Sequence, residues 1–217
     1  MSKGWIFDLD GTLVDSLPGI AASLNAALAA QGLPVYDAMT VRTFIGDGAE
    51  MLVRRALRTA DPEFFPRVLQ GFREHYAADW SRGTTPYAGI PGLLETLRAR
   101  GDGLAVLSNK PHAFTMTIVD ELFPGVFSQV IGQRAGIPHK PDPTGLWEIL
   151  EAPGWSAESA VMIGDSVMDL QTAHAAGIGS IAVTWGYHDR GALERENPAL
   201  VVEQVEELAA FLFEARG

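Results

Sequence analysis

The sequence contains no cysteine and few basic residues, and both shortages limit what the protein can do. None of the 217 residues is Cys, which excludes disulfides, thiolate metal sites, iron–sulfur clusters and a cysteine nucleophile. Lys and Arg together number 16 against 27 Asp and Glu, which gives a formal net charge of −11. Nucleic acids and anionic membranes bind clustered cations, so we expect neither of them as a partner.

Long apolar segments are also missing. The longest uncharged stretch, residues 16–36, contains Pro18 and Pro34 and has leucine or isoleucine at every fourth position of its first half. That spacing is typical of an amphipathic helix with one buried face. The first residues lead directly into a strand pattern and lack the apolar core of a signal peptide. We therefore expect a cytoplasmic protein.

The hydrophobic residues that are present form two alternating patterns. Six short runs are apolar throughout, as in parallel strands covered on both faces: residues 4–9, 104–107, 129–131, 160–163, 180–184 and 200–202. Helical periodicity fills the intervals between the last five runs. This alternation predicts an α/β fold with a doubly wound, Rossmann-like parallel sheet.

The interval between the first two runs differs from the others because it is much longer and carries only helical patterns. These patterns lie at about residues 17–31, 38–45, 49–59 and 62–80, and a Gly-, Thr- and Pro-containing linker follows at residues 82–86. We expect an all-helical cap lobe at residues 15–82, inserted after strand 1. Residues 1–14 and 83–217 would then form the α/β core.

The first strand ends in two carboxylates, Asp8 and Asp10, followed by Gly11 and Thr12. Open α/β sheets bind ligands at the carboxyl ends of their strands, and side chains two residues apart in extended backbone point to the same side. An Asx turn would explain one aspartate but not both. The pair therefore indicates a functional site.

Further polar side chains follow the later strand patterns. Ser108 and Asn109 follow the second, Lys140 lies in a proline-containing loop after the third, and Asp165 and Asp169 follow the fourth. Each could separately be a helix cap or a solvated surface residue. Together they would bring four carboxylates and an ammonium to one edge of the sheet.

Four carboxylates at one edge need positive charge nearby. Two like charges about 4 Å apart repel by about 4 kcal/mol at an effective dielectric constant of about 20, so a phosphate dianion would not enter unaided. A divalent cation and the Lys140 ammonium would solve this problem. Oxygen ligands and bound water suit Mg²⁺.

The four motifs closely resemble those of the haloacid dehalogenase superfamily of aspartate-nucleophile phosphotransferases. The segments most similar to its phosphoglycolate phosphatase branch are DLDGTLVDS from Asp8, SNKP from Ser108, KPDP from Lys140 and WGY from Trp185. The resemblance covers the whole chain, and the helical insert is similar to the helical cap of that superfamily.

The resemblance implies a Mg²⁺-dependent phosphomonoester hydrolase. Asp8 would attack phosphorus and form an aspartyl-phosphate, while Asp10 would act as general acid and then as general base. The implied Mg²⁺ ligands are the Asp8 side chain, the Asp10 carbonyl, Asp165 and the phosphate. The residues expected to bind phosphate oxygens are Ser108, Asn109 and Lys140. Thr12 is expected to orient Asp10, and Asp169 to orient Lys140 or metal-bound water.

The helical insert is expected to close over the site and to select the substrate. Within it, Gly46 and Gly48 precede a helical pattern, and a glycine turn at a helix N-terminus can bind a carboxylate. Arg42 is a candidate partner for that anion, as are Arg54 and Arg55. An ordinary turn with solvated arginines is the alternative interpretation.

Several functions remain open at this point. The protein is expected to be a monomer or a homodimer. Its favoured substrate is 2-phosphoglycolate, and another small phosphate ester or pyrophosphate is the alternative. A phosphomutase similar to β-phosphoglucomutase would use the same motifs. A phosphate-responsive signalling protein is an interpretation of a different class, because receiver domains also combine an acceptor aspartate, a lysine and further acids. Asp10 and the long insert argue against that interpretation.

Overall fold

A computed structural model of the chain describes residues 3–58, 62–151 and 155–214. Its strands, in chain order, are β1 (Gly4–Phe7), β2 (Val14–Asp15), β3 (Thr85–Pro86), β4 (Gly103–Pro111), β5 (Gln129–Gln133), β6 (Ala160–Gly164), β7 (Gly179–Val183) and β8 (Leu200–Val202). Its helices are α1 (Leu17–Ala29), α2 (Ala38–Arg42), α3 (Gly48–Leu57), α4 (Phe64–Asp79), α5 (Ile90–Ala99), α6 (His112–Leu122), α7 (Thr144–Glu151), α8 (Val167–Ala176), α9 (Arg190–Glu194) and α10 (Val205–Glu214).

Six of the strands form one parallel sheet in the order β5-β4-β1-β6-β7-β8. Strand β1 lies at the centre, and all four of its residues are buried. Parallel strands that are covered on both faces consist of continuous apolar runs, and for this reason the apolar runs in the sequence predicted the strands. The predicted fold class is confirmed.

Strand β4 is longer than the sequence pattern predicted. The pairing of β4 with β5 changes register between Leu107 and Pro111, so the strand continues past its apolar run. Ser108 and Lys110 therefore belong to the strand itself and lie two residues apart along it. Alternation along extended backbone places their side chains on one side.

Helices α1 to α4 lie between β2 and β3, which pair as a short antiparallel ribbon with Val14 opposite Pro86. The predicted linker at residues 82–86 is thus partly a 3₁₀ turn, Trp80–Gly83, and partly β3. Helix α1 approaches this turn so closely that a Cβ on Gly83 would lie 2.4 Å from the Gly19 nitrogen. Both ends of the helical insert therefore meet at one point beside the sheet.

The helices of the insert pack through their apolar faces. Leu24 and Leu28 of α1 are buried, as are Val68 and Phe72 of α4, as the four-residue spacing of α1 predicted. Helix α2 is shorter than expected and ends at Arg42, and the predicted end of α3 at residue 59 lies outside the described residues. Across the three described ranges, no helix combines the length and apolar character that crossing a bilayer requires.

Candidate active site

Three neighbouring strands bring the motif residues to one cavity at the carboxyl edge of the sheet. Asp8 directly follows β1, Ser108 lies in β4, and Asp165 directly follows β6. The helical insert forms the opposite wall of this cavity. The residues that line the cavity include, from the sheet side, Asp8, Asp10, Ser108, Asn109, Lys110 and Asp165, and from the insert, Gly46, Gly48, Phe72, Arg73 and Tyr76.

The deepest part of the site is a cluster of three carboxylates and one ammonium. One oxygen each from Asp8, Asp165 and Asp169 lies within 4.8 Å of the others. The Lys140 Nζ atom lies 3.0 Å from Oδ1 of Asp8 and 2.6 Å from Oδ1 of Asp169, and it donates to the Leu107 carbonyl at 2.9 Å. All four charged residues are buried, so the predicted convergence of these motifs is found.

The carboxylates outnumber the positive charges in this cluster. Burial, helped by repulsion from Asp169, raises the pKa of Asp8 to about 7 although Lys140 lowers it. Burial and repulsion from Asp8 also raise the pKa of Asp165 well above its ordinary value. Burial alone would lower the pKa of Lys140, but its two carboxylate neighbours raise it overall. Excess negative charge on closely spaced oxygen ligands fits a hard divalent cation such as Mg²⁺.

Asp165 is held by neighbours on both sides. Its Oδ2 accepts a hydrogen bond from the Tyr187 backbone N–H at 2.7 Å, and its Oδ1 accepts one from the Thr12 hydroxyl at 2.9 Å. A Cβ on Gly11 or Gly186 would lie 2.3 Å from Asp165 Oδ2, so both positions require glycine. The close approach of these backbones therefore positions the carboxylate.

The contact of Thr12 corrects the expectation that this residue orients Asp10. The hydroxyl bonds to Asp165, which follows β6, whereas the Asp10 carboxylate contacts β4. Strands β4 and β6 lie on opposite sides of β1. The turn after β1, with Gly11 at φ +85°, therefore separates the partners of two residues that are close in sequence.

Asp10 forms a second, separate group with Lys110. The Lys110 Nζ atom lies 2.9 Å from each carboxylate oxygen of Asp10. The Ser16 hydroxyl donates to Asp10 Oδ1 at 2.6 Å, and the Tyr187 hydroxyl lies 3.2 Å from that Ser16 oxygen. Lys110 also lies 4.5 Å from the centroid of the Tyr76 ring of α4. This group connects the sheet, the start of α1 and the insert.

Lys110 is a site residue that was not predicted, although the sequence carries a signal for it. The chain has only three lysines, Lys3, Lys110 and Lys140, among its 16 basic residues. Two of the three lie at this cavity. Ser108 and Lys110 also share one side of an extended strand, so the alternation that paired Asp8 with Asp10 would have paired Lys110 with Ser108 as well.

Asn109 lines the cavity, and its side-chain amide bonds to two other segments of the chain. Its side chain accepts a hydrogen bond from the Lys140 N–H at 2.7 Å and donates to the carbonyls of Lys140 and Gly46 at 3.2 and 3.0 Å. The amide is thus used in joining the Lys140 loop to the insert. The expected contact of Asn109 with phosphate stays a prediction.

Asp169 combines the two roles that its sequence position allowed. Its Oδ2 accepts hydrogen bonds from the Ser166 N–H and hydroxyl at 3.0 and 2.7 Å. The Asp169 N–H donates in return to Ser166 Oγ at 3.3 Å, which completes a capping box at the start of α8. Its Oδ1 accepts the bond from Lys140. The helix start therefore aims Asp169 at Lys140, which is the contact that was expected.

The arginines predicted to serve the insert turn make other contacts. Arg42 donates through Nε to the Tyr187 carbonyl at 2.9 Å and through Nη2 to the Gly186 carbonyl at 2.8 Å, so it joins the insert to the loop after β7. Arg54 lies over the Phe65 ring, and Arg55 bonds to Asp47 and to the Phe44 carbonyl. Two of the five N–H donors of Arg42 are thus bonded to backbone carbonyls, and Arg42 is not among the residues that line the cavity. Its expected contact with substrate stays a prediction.

The glycine turn of the insert lies on the cavity wall. A Cβ on Gly48 would lie 3.1 Å from the Asn109 carbonyl and from His139 Nε2, and one on Gly46 would lie 3.3 Å from His188 Nε2. Both glycines have positive φ, which is +125° at Gly46 and +82° at Gly48. They permit a close contact between the insert and the sheet edge.

Known proteins of similar sequence identify the family of this chain. The sequence profile of the haloacid dehalogenase-like hydrolase family matches residues 5–183. The chain is 36% identical over 210 residues to a phosphoglycolate phosphatase of Pseudomonas savastanoi pv. phaseolicola, covering 94% of this chain and 77% of that protein. It is also 36% identical to a phosphoglycolate phosphatase of Mesorhizobium japonicum, covering 98% and 97% of the two chains.

A comparison of three-dimensional structures agrees with the comparison of sequences. The crystal structure of a predicted phosphoglycolate phosphatase from Haemophilus somnus superposes with a TM-score of 0.91 at 29% identity, covering 97% of this chain and 98% of that one. The protein therefore belongs to the haloacid dehalogenase-like hydrolase family. Within that family it is a phosphatase.

Proposed function

We propose that this phosphatase is a Mg²⁺-dependent phosphomonoesterase that acts on 2-phosphoglycolate through an aspartyl-phosphate. The observation that carries the proposal is the pair of aspartates after β1. Asp8 lies in the deep cluster beside Lys140, and Asp10 faces the same cavity two residues later. The names of the two related phosphatases support the choice of substrate.

In the first step, the Asp8 carboxylate attacks phosphorus and the bond from phosphorus to the leaving alcohol oxygen breaks. Asp10 donates its proton to that oxygen. Asp8 Oδ1 accepts hydrogen bonds from the Leu9 N–H at 2.7 Å and from Lys140, and these contacts fix the orientation of the nucleophile before substrate arrives.

In the second step, a water molecule attacks the phosphorus of the aspartyl-phosphate. Asp10 accepts the proton of that water, and the bond between phosphorus and the Asp8 oxygen breaks. Phosphate leaves and the Asp8 carboxylate is regenerated. Ser108 and Lys140 hold the non-bridging oxygens, and their charge and hydrogen bonds stabilise the transition state.

The residues that would hold Mg²⁺ are Asp8 and Asp165, together with the carbonyl of Asp10. Bound there, the ion would neutralise the carboxylates and polarise the phosphoryl group. Thr12 and the Tyr187 N–H orient Asp165 for this task. Asp169, whose carboxylate is used by Lys140 and Ser166, acts as a positioning residue.

The helical insert, residues 15–82, would act as the cap that closes the cavity and excludes water. Its contacts at Gly46 and Arg42 with the sheet edge support this role. The assignment of residues 1–14 and 83–217 to the catalytic core, the carboxylate-binding role of the glycine turn, the cytoplasmic location and the monomeric or dimeric state remain predictions.

The test is phosphate release with and without Mg²⁺, with 2-phosphoglycolate beside p-nitrophenyl phosphate, pyrophosphate, sugar phosphates and nucleotides. The proposal expects Mg²⁺-dependent hydrolysis and the highest kcat/KM for 2-phosphoglycolate. Preference for another ester would keep the mechanism and reject the substrate. Phosphoryl transfer to a sugar hydroxyl with little phosphate release would indicate a mutase.

A further inference from the structure

The cavity contains two cations that the mechanism above does not use. Lys110 faces it from β4 and Arg73 from α4. Lys110 lies 4.5 Å from the Tyr76 ring, and Tyr76 follows Arg73 by three residues on the same helix, a spacing that places two side chains on neighbouring turns of one face. The two cations therefore belong to one part of the cavity.

Lys110 can accept another anionic partner without leaving Asp10. An ammonium has three N–H donors, and its two short contacts in the site are both with the single carboxylate of Asp10. Burial alone would lower the pKa of Lys110, but attraction to Asp10 and the interaction with Tyr76 raise it overall.

Arg73 is the available charge on the insert side. Within the described ranges, it is the one charged residue that the insert contributes to the cavity, and no ion pair includes it. Its neighbours on that wall are apolar or aromatic, including Ile20, Leu52 and Phe72. A neutral polar substituent would find few hydrogen-bonding partners there, whereas an anion would find a guanidinium.

Geometry places this wall beside the leaving group. A general acid must lie within hydrogen-bond reach of the oxygen that it protonates, so the leaving oxygen lies next to Asp10. Because Lys110 is 2.9 Å from both Asp10 oxygens, a substituent on the adjacent carbon of the leaving group lies next to Lys110. Such a substituent extends from the sheet edge toward α4.

We propose that Lys110 and Arg73 form a subsite that binds a carboxylate carried by the leaving group and so selects anionic phosphate esters over neutral ones. This inference rests on the proposed hydrolysis of phosphate monoesters, which it deepens by naming the feature of the substrate that is recognised. In 2-phosphoglycolate the carboxylate is attached to the carbon that bears the leaving oxygen. The subsite is distinct from the glycine turn at Gly46 and Gly48.

The experiment compares kcat/KM for 2-phosphoglycolate with that for 2-hydroxyethyl phosphate, which has a neutral hydroxymethyl group in place of the carboxylate. The ratio of the two values measures charge recognition and cancels a general loss of activity. Lys110→Met is expected to slow both esters, because Asp10 loses its partner, and in addition to lower the ratio about 10- to 100-fold. Lys110→Arg should restore part of the ratio.

Arg73→Met tests the subsite without touching Asp10, and because Arg73 is exposed the variant should fold normally. We expect a fall of about 5-fold in the ratio, mainly through a higher KM for 2-phosphoglycolate. The matched control is Arg67→Met on the same helix, where the side chain pairs with Glu63 at the surface and does not line the cavity. Its ratio should equal that of the wild type.

Unchanged ratios in both Lys110→Met and Arg73→Met would overturn the inference and restrict Lys110 to its contact with Asp10. A wild-type ratio near one would overturn it as well. A second pair, 3-phosphoglycerate and glycerol 1-phosphate, separates this inference from the proposed substrate. If 3-phosphoglycerate is preferred and both variants lose that preference, the subsite stands and 2-phosphoglycolate is rejected.

Discussion

Asp8 and Asp10 lie two residues apart in sequence, yet their surroundings differ in charge balance. Asp8 shares a buried cluster with two further carboxylates and one ammonium. Asp10 pairs with one ammonium, that of Lys110, and also accepts a hydrogen bond from the hydroxyl of Ser16. The first environment is short of positive charge and the second is balanced.

The difference explains how two identical side chains can serve different steps. A cluster with excess negative charge suits a metal ion and a phosphate that is bound between cations. A carboxylate with its own cation at the edge of the cavity can exchange a proton with a leaving group or a water molecule. Strand β1 produces this division because its two neighbours, β4 and β6, supply different partners.

The largest expected effect is that of Asp8→Asn. Loss of the nucleophile should lower kcat by about 1,000-fold or more, while the amide can still accept the Leu9 hydrogen bond and the fold should be retained. Phosphate release and thermal unfolding measure the two properties, with Asp120→Asn on the exposed face of α6 as the matched control. Substantial residual turnover would show that Asp8 is not the nucleophile.

Lys140→Met should have the next largest effect, this time on stability. It leaves three buried carboxylates without their ammonium, and removing one partner of a buried ion pair costs about 3–5 kcal/mol. Urea unfolding would measure the loss, with Lys3→Met as the control. The double variant Lys140→Met/Asp169→Asn should recover part of the free energy of unfolding, and a double variant no more stable than the single one would contradict this account.

The pH dependence of stability tests the charge imbalance around Asp8. Its pKa is about 7 in the folded protein against 3.8 ordinarily, so the folded state holds the proton more tightly. That stabilisation is present below about pH 4 and is lost as the pH rises to about 7, a loss on the order of 2–4 kcal/mol.

Urea unfolding of the wild type and Asp8→Asn, in EDTA at pH 5 and pH 8, isolates this contribution. The wild type should lose more stability between the two values than the variant, and added Mg²⁺ should restore wild-type stability at pH 8. Equal losses in the two proteins would mean that the Asp8 cluster carries no charge excess.

Tyr187→Phe should have the smallest effect and should separate the two environments. The Tyr187 backbone N–H holds Asp165, whereas its hydroxyl accepts a bond from the Ser16 N–H at 2.9 Å, next to the Ser16 contact with Asp10. Removing only the hydroxyl should lower kcat about 3- to 10-fold and leave the Mg²⁺ concentration for half-maximal activity unchanged. Tyr87→Phe is the control, and a shifted Mg²⁺ requirement would contradict the separation.

The residues of the sheet edge were predictable because the signals are local. Continuous apolar runs located the strands, and the polar residues that follow those runs, Asp8, Ser108 and Asp165, were expected from the general position of ligands in such sheets. Asp169 was also predictable, since its spacing from Asp165 is one helical turn. The length of α2 was less accurately predicted, because it ends at Arg42 and not near residue 45.

Partnerships across the sheet could not be predicted from the sequence. Thr12 reaches Asp165 over 153 residues and Lys110 reaches Asp10 over 100, while Arg42 bonds to backbone carbonyls of the loop after β7. Such contacts depend on strand order and on the approach of the insert, and neither leaves a local pattern. The sequence by itself determined which residues stand at the strand ends, because hydrophobic periodicity is local. Only the tertiary structure decided which of them face each other, because that choice depends on which strands lie beside β1.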